Sequence, residues 1–255
     1  MLASTPDAHV TPPHLMTTLF VSDLHLDLVR PEILQAFERF IADEAVHADA
    51  LYILGDLFEA WIGDDAKDPV GSRFIAAMQP LREAGKPAFF MHGNRDFLLG
   101  EPFACEAGMT LLPDPSVIDL YGTPTLLMHG DSLCTDDAPY QTFRRQSRSP
   151  GWQRQFLAQD VQQREAFAQK ARTESQRYTT DQANAVIMDV NEDAVLDALR
   201  AADVRRLIHG HTHRPARHRI TTNIQTCERI VLKDWYESGG VLRVSPHRIE
   251  QSGLA

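Results

Sequence analysis

Cysteine is scarce in this chain: 255 residues include three, Cys105, Cys134 and Cys227, widely spaced. So few thiols suit a reducing cytoplasm and suggest neither a disulfide framework nor a zinc site. Long apolar runs are also missing, and none approaches the length of a membrane span. Positive charge is in deficit, with 25 Lys and Arg against 35 Asp and Glu, a net charge of −10. That balance argues against general nucleic-acid binding, which requires a basic footprint. The first fifteen residues hold three prolines, no Lys or Arg and no apolar stretch, so they do not read as a secretory signal. Residues 1–15 are expected to form a loose tail with solvated His9 and His14, and Met16 is an alternative start. Internal repeats and low-complexity blocks are absent too.

What remains is a composition with 43% hydrophobic and 24% charged residues, ordinary for a soluble globular domain with a core that needs no covalent staples. Within it one pattern recurs. Leu51-Tyr52-Ile53-Leu54 stops abruptly at Gly55-Asp56, and four other apolar runs end in the same way. Leu19-Phe20-Val21 leads into Ser22-Asp23-Leu24-His25, and Phe89-Phe90-Met91 into His92-Gly93-Asn94-Arg95-Asp96. Leu126-Leu127-Met128 leads into His129-Gly130-Asp131, and Leu207-Ile208 into His209-Gly210-His211-Thr212-His213. Such runs read as buried strands, each delivering a polar side chain at its C-terminal end, where open α/β sheets place their chemistry.

Between these strands the pattern predicts a helix over 31–47, opened by Pro31, with Ile33, Phe37, Phe40 and Ile41 on its buried face. A second helix is expected over 70–84, ending at Gly85, and a short one over 97–107. A hairpin is expected over 117–128 around Tyr121-Gly122-Thr123-Pro124. Residues 140–178 are polar and helix-forming, with eight basic residues against three acidic ones, a net +5 that leaves −15 on the rest. Trp152, Phe156 and Phe167 lie among those charges. Asn191 reads as the cap of a helix through Ala201, and three later strand-like segments suggest a closing antiparallel part.

Asp23, His25, Asp56, Asn94, His129, His211 and His213 make seven oxygen and nitrogen donors without a thiolate, a set suited to Mn²⁺, Mg²⁺, Fe or Zn²⁺. The Asp-x-His and His-x-His spacings each put two side chains on one face of an extended segment. Two ions sharing a bridging carboxylate, Asp56, would activate water and clamp a phosphate. A single Asp at a strand end is more often a helix cap, and a single His more often a structural residue. Five matching ends together favour a metal site.

In order, these motifs resemble those of the calcineurin-like metallophosphoesterases: Asp-x-His, Gly-Asp, Gly-Asn-x-Asp, His and Gly-His-x-His, over residues 19–215. The resemblance implies an α/β fold, a four-layer αββα sandwich of two mixed sheets, with residues 140–182 as an inserted helical lid in a domain spanning 16–255. It implies one ion held by Asp23, His25, Asp56 and His213, and another by Asp56, Asn94, His129 and His211. Where many members have a histidine after the metal-binding Asn, this chain has Arg95. Arginine is no useful acid near neutral pH but is a strong bidentate phosphate ligand. Pyrophosphate cleavage, with a leaving group needing little protonation, then fits better than hydrolysis of an alkyl phosphodiester.

The stretches 55–65, 92–97, 129–137 and 209–215 further resemble the UDP-2,3-diacylglucosamine diphosphatases of lipid A biosynthesis, a branch of that family. This implies two Mn²⁺ per chain (Mg²⁺ or other divalent ions being alternatives), catalytic roles for Asn94, Arg95 and His129, and substrate contacts from Asn94, Arg95, Asp137, Ser175, Thr179, Gln182 and His211. It also implies a cytoplasmic monomer attached peripherally to the anionic inner face of the inner membrane, with no nucleic-acid partner. The basic, aromatic stretch 140–178 would then accept acyl chains through Trp152, Phe156 and Phe167 and be drawn to the membrane by Arg144, Arg145, Arg148 and Arg154. A nucleotide phosphodiesterase of the same fold and a non-catalytic scaffold remain the alternatives.

Overall fold

The computed structural model describes residues 16–66, 68–180, 189–222 and 226–254, residues 175–180 by their backbone alone. In chain order its first half runs β1 (Thr18–Val21), α1 (Pro31–Asp43), β2 (Ala50–Leu54), α2 (Pro69–Ala77), α3 (Gln79–Glu83), β3 (Ala88–Met91), α4 (Glu101–Ala107), β4 (Met109–Leu112), β5 (Ser116–Leu120) and β6 (Thr123–Leu127). Then follow α5 (Ala138–Ser147), α6 (Pro150–Leu157), α7 (Val161–Thr180), α8 (Glu192–Ala201), β7 (Arg206–His209), β8 (Ala216–Thr221), β9 (Thr226–Val231), β10 (Gly240–Ser245) and β11 (Arg248–Gly253).

Two mixed sheets result, ordered β11-β10-β1-β2-β3-β4 and β5-β6-β7-β9-β8. Side chains alternate along each strand, so one parity faces helices and the other faces the opposite sheet. Leu19, Val21, Leu51, Ile53 and Phe90 pack with Ile33, Phe37 and Phe74 of α1 and α2. Phe20, Leu54 and Met91, from the same strands, pack with Leu127, Ile208 and Ile230 of the other sheet. On that sheet's far side, Leu126 and Leu207 meet Val195 and Leu199 of α8. The layers are therefore helix, sheet, sheet, helix. Between the sheets Phe20, Tyr52 and Phe89 stack at 5.0 and 4.7 Å, because the parallel register sets them side by side.

Several boundaries differ from expectation for local reasons. The helix expected over 31–47 stops at Asp43, and a separate 3₁₀ turn, Ala45–His47, follows. The one expected over 70–84 is two helices, since Pro80 lacks an N–H and its ring opposes continuation. α4 begins at Glu101, not Phe97, because the carboxylate of Asp64 reaches over and accepts from the N–H groups of Gly100 (3.0 Å) and Phe103 (3.1 Å). It thereby caps a helix whose own cap residue, Gly100, has no side chain. The closing strands do not form one antiparallel unit: β8 and β9 join the second sheet, while β10 and β11 complete the first.

Within 140–174 several aromatic and basic side chains pack inward. Phe156 is 4% exposed and stacks on Trp152 at 4.9 Å, with Phe167 at 5.3 Å. Arg164 is buried and donates to the carbonyl of Ile62 (2.7 Å) and, through both terminal nitrogens, to Asp65 (2.8 and 2.6 Å). Arg144 pairs with Asp131 at 2.8 Å, and Arg148 lies 3.7 Å from the same carboxylate. Of the four arginines expected to face a membrane, Arg144 and Arg148 are thus turned inward, and Arg145 and Arg154 are exposed. The tail 1–15 lies outside the described residues.

Candidate metal centre

The parallel strands of both sheets end at one place. Asp23 and His25 follow β1, Asp56 follows β2, Asn94 follows β3, Met128-His129 follows β6, and His211 and His213 follow β7. Asp23, His25, Asp56, His211 and His213 all have positive φ, between 48° and 68°. Among the described non-glycine residues only Tyr121 and Asp203 share that conformation. An L-residue there costs about 1–2 kcal/mol, and such strain gathers where the surroundings dictate it for function.

Two groups of donors converge, Asp23 with His25 and His213, and Asp56 with His129 and His211, their ligating atoms within 4.8 Å of one another in each group. Asp56 lies between the groups: Oδ2 is 3.8 Å from Nε2 of His25, and Oδ1 is 3.7 Å from Nε2 of His129. Oδ1 of Asn94 is 3.0 Å from that same Nε2 of His129. In the first group Nε2 of His213 sits 3.3 Å from Oδ1 of Asp23 and 3.4 Å from Nε2 of His25.

Backbone groups fix the donors. Asp23 accepts from the N–H of His211 (2.9 Å) and the hydroxyl of Ser22 (2.6 Å). Asp56 accepts from the N–H of Arg95 (2.9 Å). His129 donates from Nδ1 to the carbonyl of Leu54 (2.9 Å), leaving Nε2 to face the site. A side chain at Gly93 would collide with the Asp56 carboxylate, and one at Gly210 with Asp23 and Ser22. These glycines are spacers between the donor-bearing loops. Asp96, fully buried, accepts from the N–H groups of Leu57 (2.6 Å) and Gly93 (2.8 Å), tying the Asn94 loop to the end of β2.

Crowding of buried charge leaves the donors poorly satisfied by one another. Burial pushes the Asp56 carboxyl up to about 7, with Asp96 and Asp23 adding to the effect. Burial also pulls Asp23 upward, but its hydrogen bond to His213 and the nearby histidines hold it below the usual carboxylate range. His129 rises to about 9, against its burial, because Asp56, Asp131 and Asp23 surround it. His211 falls to about 4, through burial and then repulsion from His129. Two imidazole nitrogens 3.4 Å apart share at most one proton, and a cation would satisfy both lone pairs. The donor set therefore fits divalent ions, two carboxylates, an amide and four imidazoles without sulfur.

Of the remaining expected residues, Arg95 lies beside Asn94, and both line a cavity of about 420 Å³. Its walls also include Trp61, Phe97, Trp152, Phe156 and Phe167, together with the charged Glu59, Lys170, Arg172 and Glu174, so aromatic surface and charge share one cavity. Asp137 is the N-cap of α5, accepting from the N–H of Tyr140 at 3.0 Å, and is not among the cavity's lining residues. The side chains of Ser175 and Thr179, and the whole of Gln182, lie outside the described residues. His92 and His209 are structural: His92 bonds the carbonyl of Leu99 (2.7 Å), and His209 accepts from Arg229 (3.0 Å). Sequence reasoning missed Glu59, 3.5 Å from Nδ1 of His25, and Asp234, 3.8 Å from Nδ1 of His213. Only its position in a loop after a ligand-bearing strand could have drawn attention to Glu59.

Comparison with known proteins places this geometry. The family model described as calcineurin-like phosphoesterase matches residues 16–215. A UDP-2,3-diacylglucosamine hydrolase of Stenotrophomonas maltophilia (strain K279a) is 54% identical over 235 residues, covering 90% of this chain and 95% of that one. One of Xanthomonas oryzae pv. oryzae (strain PXO99A) gives the same identity and coverage. One of Xanthomonas campestris pv. campestris (strain 8004) is 50% identical over 246 residues, covering 94% of this chain and all of the other.

Proposed function

The chain belongs to the calcineurin-like phosphoesterase family, and from that footing we propose that it hydrolyses the pyrophosphate bond of UDP-2,3-diacylglucosamine, giving UMP and 2,3-diacylglucosamine 1-phosphate. The observation that carries this reading is one cavity lined both by Asn94 and Arg95 and by Trp152, Phe156 and Phe167. Phosphate-binding groups and aromatic surface in the same cavity suit a substrate with an anionic pyrophosphate next to two acyl chains. A small nucleotide ester would leave the apolar walls wet.

Asp23, His25, Asp56 and His213 would hold one divalent ion, and Asp56, Asn94, His129 and His211 the other, Mn²⁺ being the proposed metal. When bound, such a pair lowers the pKa of water and neutralises phosphate charge. The protein's own groups supply the rest. Asp56 directs one oxygen at each donor group, so its geometry suits a bridge. Arg95 presents a planar fork to the pyrophosphate, which suits it to stabilise the departing phosphate by charge. His129, its Nδ1 proton committed to Leu54, keeps a fixed tautomer. His211, Asp137, Ser175, Thr179 and Gln182 are proposed to complete the grip on substrate.

Helices α5 to α7 act in this proposal as a lid whose inner face takes the acyl chains. No helix among the described residues is long and apolar enough to cross a membrane. Access to the lipid is proposed to be by peripheral attachment to the cytoplasmic face of the inner membrane. Mass analysis of products from purified UDP-2,3-diacylglucosamine in H₂¹⁸O tests the reading. UMP and the diacylated sugar 1-phosphate, with ¹⁸O in UMP, are expected for water attacking the α-phosphorus. Label in the sugar phosphate would refute that attack site, and an unchanged substrate would refute the activity.

A further inference from the structure

Glu59 lies in the loop after β2, 7% exposed, and its two oxygens face different partners. Oε2 is 3.5 Å from Nδ1 of His25. Oε1 is 3.0 Å from Nε of Arg172 on α7 and 3.9 Å from Nη1 of Arg95. Nδ1 of His25 is itself buried and makes no hydrogen bond. Across the same ring, Nε2 faces Asp56 and His213. His213 repeats the arrangement. Its Nδ1 is 3.8 Å from Asp234, while its Nε2 faces Asp23. The second group of donors is backed differently: Nδ1 of His129 meets the neutral carbonyl of Leu54, and the buried Asp131 carboxylate, whose charge also acts on His129 and His211, is itself paired with Arg144 at 2.8 Å.

An imidazole whose Nδ1 proton is directed at a carboxylate has its tautomer fixed, with the Nε2 lone pair pointing the other way. The anion also raises the basicity of that lone pair. A carbonyl fixes the tautomer but adds less negative charge. We propose that Glu59 is a positioning residue that holds the Nδ1 proton of His25, with Asp234 serving His213, and that this anionic backing makes the Asp23–His25–His213 position the tighter of the two. The division between the Glu59 oxygens lets the same carboxylate tether Arg172, and so α7, without giving up His25. This inference rests on the two-ion reading above and concerns how unequal the two positions are.

The test titrates metal-free full-length protein with Mn²⁺ and follows the free hexaaqua ion by electron paramagnetic resonance. The parent should take up two equivalents, one more tightly. Glu59→Gln and Asp234→Asn keep side-chain shape and remove the charge. Each should weaken the tight equivalent about 10- to 100-fold and leave the other within error. Arg172→Gln removes the lid contact without touching His25 and should leave the tight equivalent unchanged. A tight equivalent unaltered in both carboxylate variants would overturn the proposal. So would equal weakening by Arg172→Gln, which would route the effect through the lid. Asp234 is the more exposed of the two carboxylates, so its variant keeps the test alive if Glu59→Gln folds poorly. A parent that binds no Mn²⁺ would instead bring down the two-ion reading itself.

Discussion

Arg148 donates a 2.7 Å hydrogen bond to the carbonyl oxygen of Gly93. The first residue is the C-cap of α5; the second lies in the loop that carries Asn94 and Arg95. Arg148 also lies over the ring of Phe97, 4.8 Å from its centroid, so the end of α5 and the loop carrying Asn94 and Arg95 share one anchor. Replacing Arg148 with Met should loosen that loop. Turnover of the proposed substrate should fall about tenfold or more, consistent with about 1.5–3 kcal/mol for a hydrogen bond to a charged group. Kinetics at saturating and limiting substrate, beside metal content, would check it; unchanged kinetics would show that the anchor is dispensable.

Asp56→Ala should abolish turnover and reduce binding at both ion positions, because it removes the carboxylate lying between the two donor groups. His25→Ala should weaken one position selectively. Metal per chain, measured by elemental analysis alongside activity, decides the matter. Two full equivalents and wild-type turnover in the Asp56 variant would refute the bridge.

Arg95→Lys keeps the charge and loses the planar fork. A loss of roughly 1.5–3 kcal/mol of transition-state binding is expected, seen as a 10- to 100-fold fall in kcat/KM with metal content intact. Metal lost in proportion to activity would assign Arg95 to upkeep of the centre instead.

Gly93→Ala places a methyl group against the Asp56 carboxylate and backbone. Overpacking there should cost about 1–3 kcal/mol or more of stability and reduce bound metal. At Gly122, in the hairpin turn, a methyl group meets nothing within 4 Å, and only its φ of +82° opposes substitution. Gly122→Ala should cost about 1 kcal/mol and leave metal binding alone. Urea unfolding of both variants, with metal analysis, separates crowding from conformational strain.

Burial pushes the Asp114 carboxyl from 3.8 up to about 6, Asp131 adding to the effect, and its Oδ1 is buried without a hydrogen bond. The folded state therefore holds this proton more tightly than the unfolded chain. That stabilisation is full below about pH 4 and is lost as pH rises through about 6. Asp114→Asn should flatten this contribution, worth of the order of 3 kcal/mol, and raise stability at pH 7 relative to the parent. Unfolding curves from pH 4 to 7 give the difference; identical slopes would show that Asp114 stays ionised throughout.

The strand ends were readable because a buried run that stops at glycine and a polar residue has little reason to exist except at a sheet edge. Asp56, His129 and the His211–His213 pair were all found in that way, and their places at the ends of β2, β6 and β7 follow from the runs before them. β11 was not readable: Arg-Ile-Glu-Gln-Ser-Gly is polar, and only its pairing with β10 makes it a strand. The break at Pro80 was open to a local reading, but the capping of α4 by Asp64 was not, since cap and helix lie far apart in the chain. Glu59 and the inward turn of Arg144 and Arg148 escaped for the same reason. A charge announces itself in a sequence, whereas its partner does not.

Each donor group draws on both sheets. Asp23 and His25 belong to one and His213 to the other, and Asp56 likewise meets His129 and His211 across the seam. Neither sheet alone holds a complete position, so a chain with undocked sheets offers an ion only fragments. An ion that binds the docked state alone stabilises it in proportion to the logarithm of its free concentration. Supply of divalent metal would then govern how long the folded protein survives proteolysis. In a metal-starved cell the protein itself would be depleted.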